Sequence, residues 1–187
     1  MNFRALLLVL LSTQLFACAD RIVKESTLFR LEGRDYLYQK RKWTFSGRLA
    51  ISDGEQSLSA AIVWEHDPHR DAIELSGAFG QGRTLIELTE GKMIVDNGDR
   101  RVQYSGQEDV LVSSLLGLAV PVSALKYWVR GLVLPEQGYV LIDKGFLQSQ
   151  WQVKYLQMQF IGRDELPRKI KIDKGKARLK LVINQWQ

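Results

Sequence analysis

A chain of 187 residues with 45% hydrophobic and 25% charged residues is long enough to bury a sizeable core and too apolar to be disordered throughout. Its formal charge of +5 is scattered along the chain, and the absence of a long Lys/Arg run excludes nucleic acid as the expected partner. One cysteine, Cys18, excludes an intramolecular disulfide, and only two histidines, both in one turn, argue against a hydrolase.

The N-terminus carries one positive charge at Arg4, then a short apolar run over residues 5–11, then Leu15-Phe16-Ala17-Cys18. That pattern describes a secretory signal peptide. The run is shorter than the roughly 20 residues that span a bilayer. Leu15-Phe16-Ala17-Cys18 resembles a bacterial lipobox, in which the cysteine thiol receives a diacylglyceryl group and cleavage leaves it first in the chain. The expected organisation is a signal peptide over 1–17, a lipid-anchored tether with an N-terminal helix over 18–42, and one folded domain over 43–187. Each buried methylene adds about 0.8 kcal/mol of membrane affinity, so two or more long chains on Cys18 would anchor the protein stably. No cofactor is expected beyond those covalent diacylglyceryl and N-acyl groups. Ala19, rather than Asp, follows the cysteine; by the familiar enterobacterial sorting rule this implies the outer membrane.

From Trp43 the apolar period becomes two. Phe45, Gly47, Leu49 and Ile51 predict one face of a strand, and Leu58, Ala60, Ile62 and Trp64 predict the next. Strands are also predicted over 72–76, 84–89, 92–95 and 101–104. Asp96-Asn-Gly-Asp99 is a hairpin turn, because Asn-Gly readily takes positive φ. The period then lengthens. Leu111, Leu115 and Leu118, and after Pro121 the set Val122, Leu125, Val129 and Leu132, predict two one-faced helices. Gly131 is placed near the end of the second. Strands return over 150–160, with Trp151, Val153 and Tyr155 predicted on one face and Leu156, Met158 and Phe160 on the other, and over 166–173 and 178–186. Successive strands with short turns predict an antiparallel meander, and the helix pair predicts a curved sheet closed or half closed like a barrel.

Three patterns invite a chemical reading. Leu75-Ser-Gly-Ala-Phe-Gly-Gln-Gly82 has the glycines of a phosphate loop, but Arg83-Thr-Leu-Ile-Glu-Leu88 reads as strand where such a loop needs a helix. What remains is Phe79 in a turn, either folded into the core or exposed as an apolar wedge for a bilayer or a partner's groove. Ser123-Ala-Leu-Lys126 matches the S-x-x-K of penicillin-recognising enzymes, without their Ser-Asp-Asn or Lys-Thr-Gly. The expected role of Ser123 and Lys126 is the exposed face of an amphipathic helix. His66, Asp67, His69 and Asp71 have metal-ligating side chains within one short polar turn, which reads as a solvated hairpin.

The ordered set Phe45-Ser-Gly-Arg-Leu-Ala50, Val63-Trp64, Leu75-Ser-Gly-Ala-Phe-Gly80, Gly117-Leu-Ala-Val-Pro-Val122, Leu125-Lys-Tyr-Trp-Val-Arg-Gly131, Trp151-Gln-Val-Lys-Tyr155, Leu166-Pro167 and Leu179-Lys-Leu-Val-Ile-Asn-Gln-Trp186 resembles the LolB family, from about residue 36 onward. The resemblance implies a mainly β fold with helices: an incomplete, half-open antiparallel β-barrel with a helical lid over an apolar cavity. It implies transfer without catalysis. The expected partners are the periplasmic carrier LolA, acylated lipoprotein cargo and outer-membrane phospholipid, with the protein a monomer anchored on the periplasmic face of the outer membrane. It further implies a membrane-insertion loop at Gly77, Ala78, Phe79 and Gly80, where the family has Leu at the position of Phe79 and often Pro at that of Ala78. Trp64, Leu75, Trp128, Val153, Tyr155 and Leu181 are the expected cavity lining. A lipid-anchored scaffold with a filled barrel is the alternative.

Overall fold

The computed structural model describes residues 25–26, 29–77, 82–116 and 120–187. The order of elements is β1 (Glu25–Ser26), a 3-10 turn (Asp35–Gln39), β2 (Trp43–Ser52), β3 (Ser57–Asp67), β4 (Arg70–Ser76), β5 (Thr84–Thr89), β6 (Lys92–Asp96), β7 (Arg101–Ser105), α1 (Glu108–Leu116), α2 (Val122–Trp128), β8 (Tyr139–Ile142), β9 (Gly145–Gln148), β10 (Trp151–Ile161), β11 (Asp164–Lys174) and β12 (Ala177–Trp186).

The strands form one antiparallel sheet in the order β7-β6-β5-β4-β3-β2-β12-β11-β10-β9-β8. Each neighbour is the preceding or following strand in sequence, except at β2–β12, the seam between two meanders. β7 and β8 end the path without pairing to each other, so the sheet stays open. Alternation does the folding: along β2 every second residue from Trp43 to Ile51 is buried, as a strand with one covered face requires. The inward residues of β2 to β6 and of β9 to β12 and those of both helices share one hydrophobic cluster, so the sheet bends around the helix pair.

Two close approaches fix the seam and one hairpin. A Cβ on Gly47 would stand 2.1 Å from the carbonyl oxygen of Val182 across the β2–β12 seam, and one on Gly145 would stand 1.9 Å from that of Val153. Both positions therefore exclude any side chain.

Four sequence expectations change. Among the described residues before β2 the helix is 3-10 and not α: Glu25–Ser26 pairs with β10 opposite Gln159 and Met158, and a single 3-10 turn buries Leu37. The hairpin β8–β9 interrupts what read as a connection. In β10 the pairing shifts on either side of Gln157, so Met158 turns inward while Leu156 and Phe160 stay exposed. In α1 the inward pair is Leu111 and Val112, with Leu115 partly exposed; Leu118 lies outside the described residues. The second helix behaves as expected. It starts after Pro121, and Gly131 at φ +78° ends the turn that follows it, its N–H bonded to the Trp128 carbonyl at 3.0 Å.

Candidate functional site

Between the sheet and the two helices lies a hollow lined only by apolar side chains. β2 gives Phe45, Leu49 and Ile51; β3 and β4 give Ile62, Trp64, Ile73 and Leu75; β5 gives Ile86; β12 gives Leu179 and Leu181. Val112 of α1, Val120, Val122, Leu125 and Val129 roof it from the lid. Its volume is about 50 Å³. Such a space stays dry, since nothing in it can hydrogen-bond water.

The two ends of the hollow differ. One end is stopped by rings: Trp43 lies 5.3 Å from Trp64 and 6.0 Å from Phe45, and Phe45 lies 5.2 Å from Trp186. Toward the other end, Leu75 and Ile86 also line a recess of about 280 Å³ formed with Leu58, Ala60, Leu115, Gly77 and Gly82. This recess is where β4 ends and β5 begins, at the base of the glycine-rich loop. Gly77 is half-buried there; Ala78, Phe79 and Gly80 lie outside the described residues, as does Cys18.

The expected lining residues separate into two groups. Trp64, Leu75 and Leu181 line the hollow. Trp128, Val153 and Tyr155 do not; they are fully buried in the packed core beside it. The reason is polar anchoring. Trp128 Nε1 donates to Gln148 Oε1 at 2.8 Å, and the Tyr155 hydroxyl donates to the Trp128 carbonyl at 2.7 Å. Phe29 stacks on Tyr155 with centroids 4.1 Å apart. Burial pushes the Tyr155 phenol well above its ordinary value, so it remains a donor.

The lid is held to the sheet by a charged clasp. Asp71 of β4 is buried; its Oδ1 accepts from Trp64 Nε1 at 2.8 Å and lies 2.7 Å from His66 Nδ1. Its Oδ2 is 2.9 Å from Lys126 Nζ of α2, which also sits 2.8 Å from Glu108 Oε1 of α1. Burial pushes the Asp71 carboxyl up, but the His66 hydrogen bond and the Lys126 charge outweigh it, and the carboxyl ends below its ordinary range. For Lys126, burial pulls down while Glu108 and Asp71 raise it, and it ends above its ordinary value. Ser123 completes the clasp: its N–H and hydroxyl donate to the Asp109 carboxylate at 2.9 and 2.7 Å.

Two expectations are thereby corrected. Ser123 and Lys126 are half-buried fasteners between lid elements, not an exposed face. The 66–71 turn is solvated only in part. Asp67 caps it by accepting from the N–H groups of His69 and Arg70, whereas Asp71 points inward. Among the described residues no three His, Cys, Asp or Glu side chains come together in a metal-binding group.

Sequence reading missed two buried arginines. Arg34 donates to the carbonyls of Arg130 and Glu165 at 2.9 and 2.7 Å, and Arg130 donates to those of Leu37 and Lys40 at 2.9 and 3.1 Å. They tie the segment before β2 to the chain leaving the lid. Their partners are backbone atoms some 90 or more positions away, which no local pattern encodes.

An open antiparallel sheet, bent around a two-helix lid over a dry apolar hollow, defines a half-barrel protein built to enclose apolar matter. The family model for outer membrane lipoprotein LolB matches residues 41–186, and this chain belongs to that family of outer-membrane lipoproteins. The outer-membrane lipoprotein LolB of Chromohalobacter salexigens is 36% identical over 174 residues, covering 90% of this chain and 78% of the relative. That of a Marinomonas species is 25% identical across 100% of this chain and 98% of its own length. That of an Azoarcus species is 30% identical over 75% of this chain and 76% of the relative.

Proposed function

We propose that the protein is a receptor that accepts acylated lipoproteins from the periplasmic carrier LolA and releases them into the outer membrane, with no catalytic step. The observation that carries this reading is the hollow: fifteen lining residues from sheet and lid, all apolar. Acyl chains leaving one apolar enclosure for another lose little burial, and direction follows from a difference in affinity between the two. At about 50 Å³ the hollow is too small to take a whole acyl chain, so a chain enters only as the lid lifts. The Leu58–Leu115 recess at the base of the 77–82 loop is the way in and out. Phe79 at that loop engages the bilayer during release, and Cys18 carries the acyl anchor on the periplasmic face.

The closed volume also favours a second reading, a lipid-anchored scaffold whose barrel stays filled. One experiment separates them. A labelled lipoprotein on the carrier is offered to the chain lacking Cys18, then to outer-membrane vesicles, with Phe79→Glu in parallel. Label passing to both forms but onward only from the Phe79 form supports the receptor. Label that never leaves a competent carrier supports the scaffold.

A further inference from the structure

The outer face of the sheet carries a basic ladder that a single acid only partly neutralises. Lys154 of β10 pairs with Lys171 of β11, and Lys171 pairs with Lys180 of β12. Three ammonium side chains thus stand on one register row of adjacent strands, about 4.8 Å from strand to strand. Like charges directly opposite in a sheet are unfavourable, so the arrangement works against the fold. The flanking rows add Lys169 and Arg48, which face Val182, on one side, and Arg178 on the other. The only acid in these rows is Asp173, 3.0 Å from Lys171 Nζ.

The other half of the same face is built differently. Arg70 and Arg101 pair with Glu87, and Arg83 pairs with Glu74. Arg48, Lys154, Lys169, Arg178 and Lys180 have no ion pair among the described residues. Among the described residues the sheet neutralises most of its cations on β4–β7, Lys92 excepted, and leaves most of them open on β10–β12 and β2.

Position narrows the occupant. The lysine row continues through Ala50 of β2 to Ser59 of β3. β4 has ended by that level, since its last residue, Ser76, pairs with Ala61. The row therefore lies just beyond the end of β4, at the edge of the sheet where β4 ends and β5 begins. We propose that the Lys154–Lys171–Lys180 ladder is a docking surface for anionic phospholipid headgroups, holding the half-barrel against the bilayer with the edge where β4 ends and β5 begins toward the lipid. A planar array of phosphates satisfies several separated ammonium groups at once and needs no shape match. The proposal draws on membership of an outer-membrane lipoprotein family, and not on transfer from a carrier.

Residues 19–187, which retain every described residue, are sedimented with phosphatidylcholine vesicles containing phosphatidylglycerol and, separately, with phosphatidylcholine alone. Binding to the anionic vesicles, falling as salt is raised, is expected, with little on neutral ones. Each lysine removed lowers partitioning about fivefold, so the triple variant K154Q/K171Q/K180Q loses on the order of 100-fold. Its melting temperature changes little, because the relieved repulsion offsets the lost Lys171–Asp173 pair. The triple Lys→Arg variant retains binding, and R83Q/R101Q, taken from the neutralised half, changes it about twofold at most. Equal binding by wild type and the Gln triple variant overturns the proposal. So does equal loss in R83Q/R101Q, which would make net charge the cause. Absence of binding to anionic vesicles also overturns it and leaves an acidic protein as the ladder's partner. None of these results depends on whether lipoprotein is transferred.

Discussion

Lys126→Met removes the cation at the centre of the lid clasp while keeping the length of the side chain and its helix preference. The Lys126 ammonium lies within 3.0 Å of Asp71 and of both Glu108 oxygens. Orphaning one member of a buried ion pair costs about 3–5 kcal/mol. Two features reduce that here. Asp71 keeps its contacts with Trp64 and His66, and the Glu108 side chain is 27% exposed, so water can take over part of its solvation. The expected loss is about 1–3 kcal/mol. Because the ammonium links α1 and α2 to β4, the loss falls mainly on lid docking, and a shift of that size raises the open population about 5- to 150-fold. Hydrogen exchange reads it directly: amides of α1 and α2 exchange faster while those of β11 and β12 keep their order of protection. A fluorescent fatty-acid probe binds more tightly by a similar factor, since less of its affinity goes into opening the hollow. The reasoning is refuted if lid and sheet amides accelerate together, or if probe affinity is unchanged in a variant that has lost stability.

Four further outcomes are expected. The depressed Asp71 carboxyl stabilises the fold above its unfolded value and loses that contribution as pH falls through its folded one. The raised Lys126 loses its own only on the alkaline side, above its ordinary value. The stability gap between wild type and Asp71→Asn in urea titrations is therefore flat near neutrality and closes below about pH 4. Val122→Phe fills the roughly 50 Å³ hollow from the lid side; probe binding weakens at least about tenfold while stability changes by no more than about 1–3 kcal/mol. Gln148→Leu leaves the Trp128 indole N–H without its acceptor and frees the Leu134 and Gln137 backbone groups, a loss of about 2–4 kcal/mol by urea unfolding. Gly47→Ala forces a methyl group to within 2.1 Å of the Val182 carbonyl and opens the β2–β12 seam, costing about 3 kcal/mol or more, seen as lost soluble yield and a lowered melting temperature.

The half-barrel was legible where one physical rule acts alone. Period-two burial from Trp43 to Ile51 marks β2, and Asn97-Gly98, with Gly98 at φ +89°, marks the β6–β7 hairpin. Reading fails where two rules compete. Leu115 has helical spacing from Leu111, but Val112 faces the hollow instead, because the sheet decides which arc of a short helix is covered. Met158 joins the core because the pairing shifts around Gln157, which alternation alone cannot foresee. Half of the expected lining was placed beside the hollow for a similar reason. Trp128 and Tyr155 carry polar tips, and Gln148 and the Trp128 carbonyl hold them elsewhere. Asp71 looked like a turn residue because its partners, Trp64 at 2.8 Å and Lys126 at 2.9 Å, come from a neighbouring strand and from a helix far along the chain.

The seam between β2 and β12 has a consequence for the order of events during folding. The strands β2 to β7 can pair with one another as they appear, but the inner edge of β2 waits for Ala177–Trp186, and Thr44 and Gln187 exchange both backbone hydrogen bonds at 3.0 and 2.9 Å. The two meanders thus cannot join until β12 is available to pair with β2. Such late closure of a non-local pair makes the docking of β12 the step that commits the molecule to its native state.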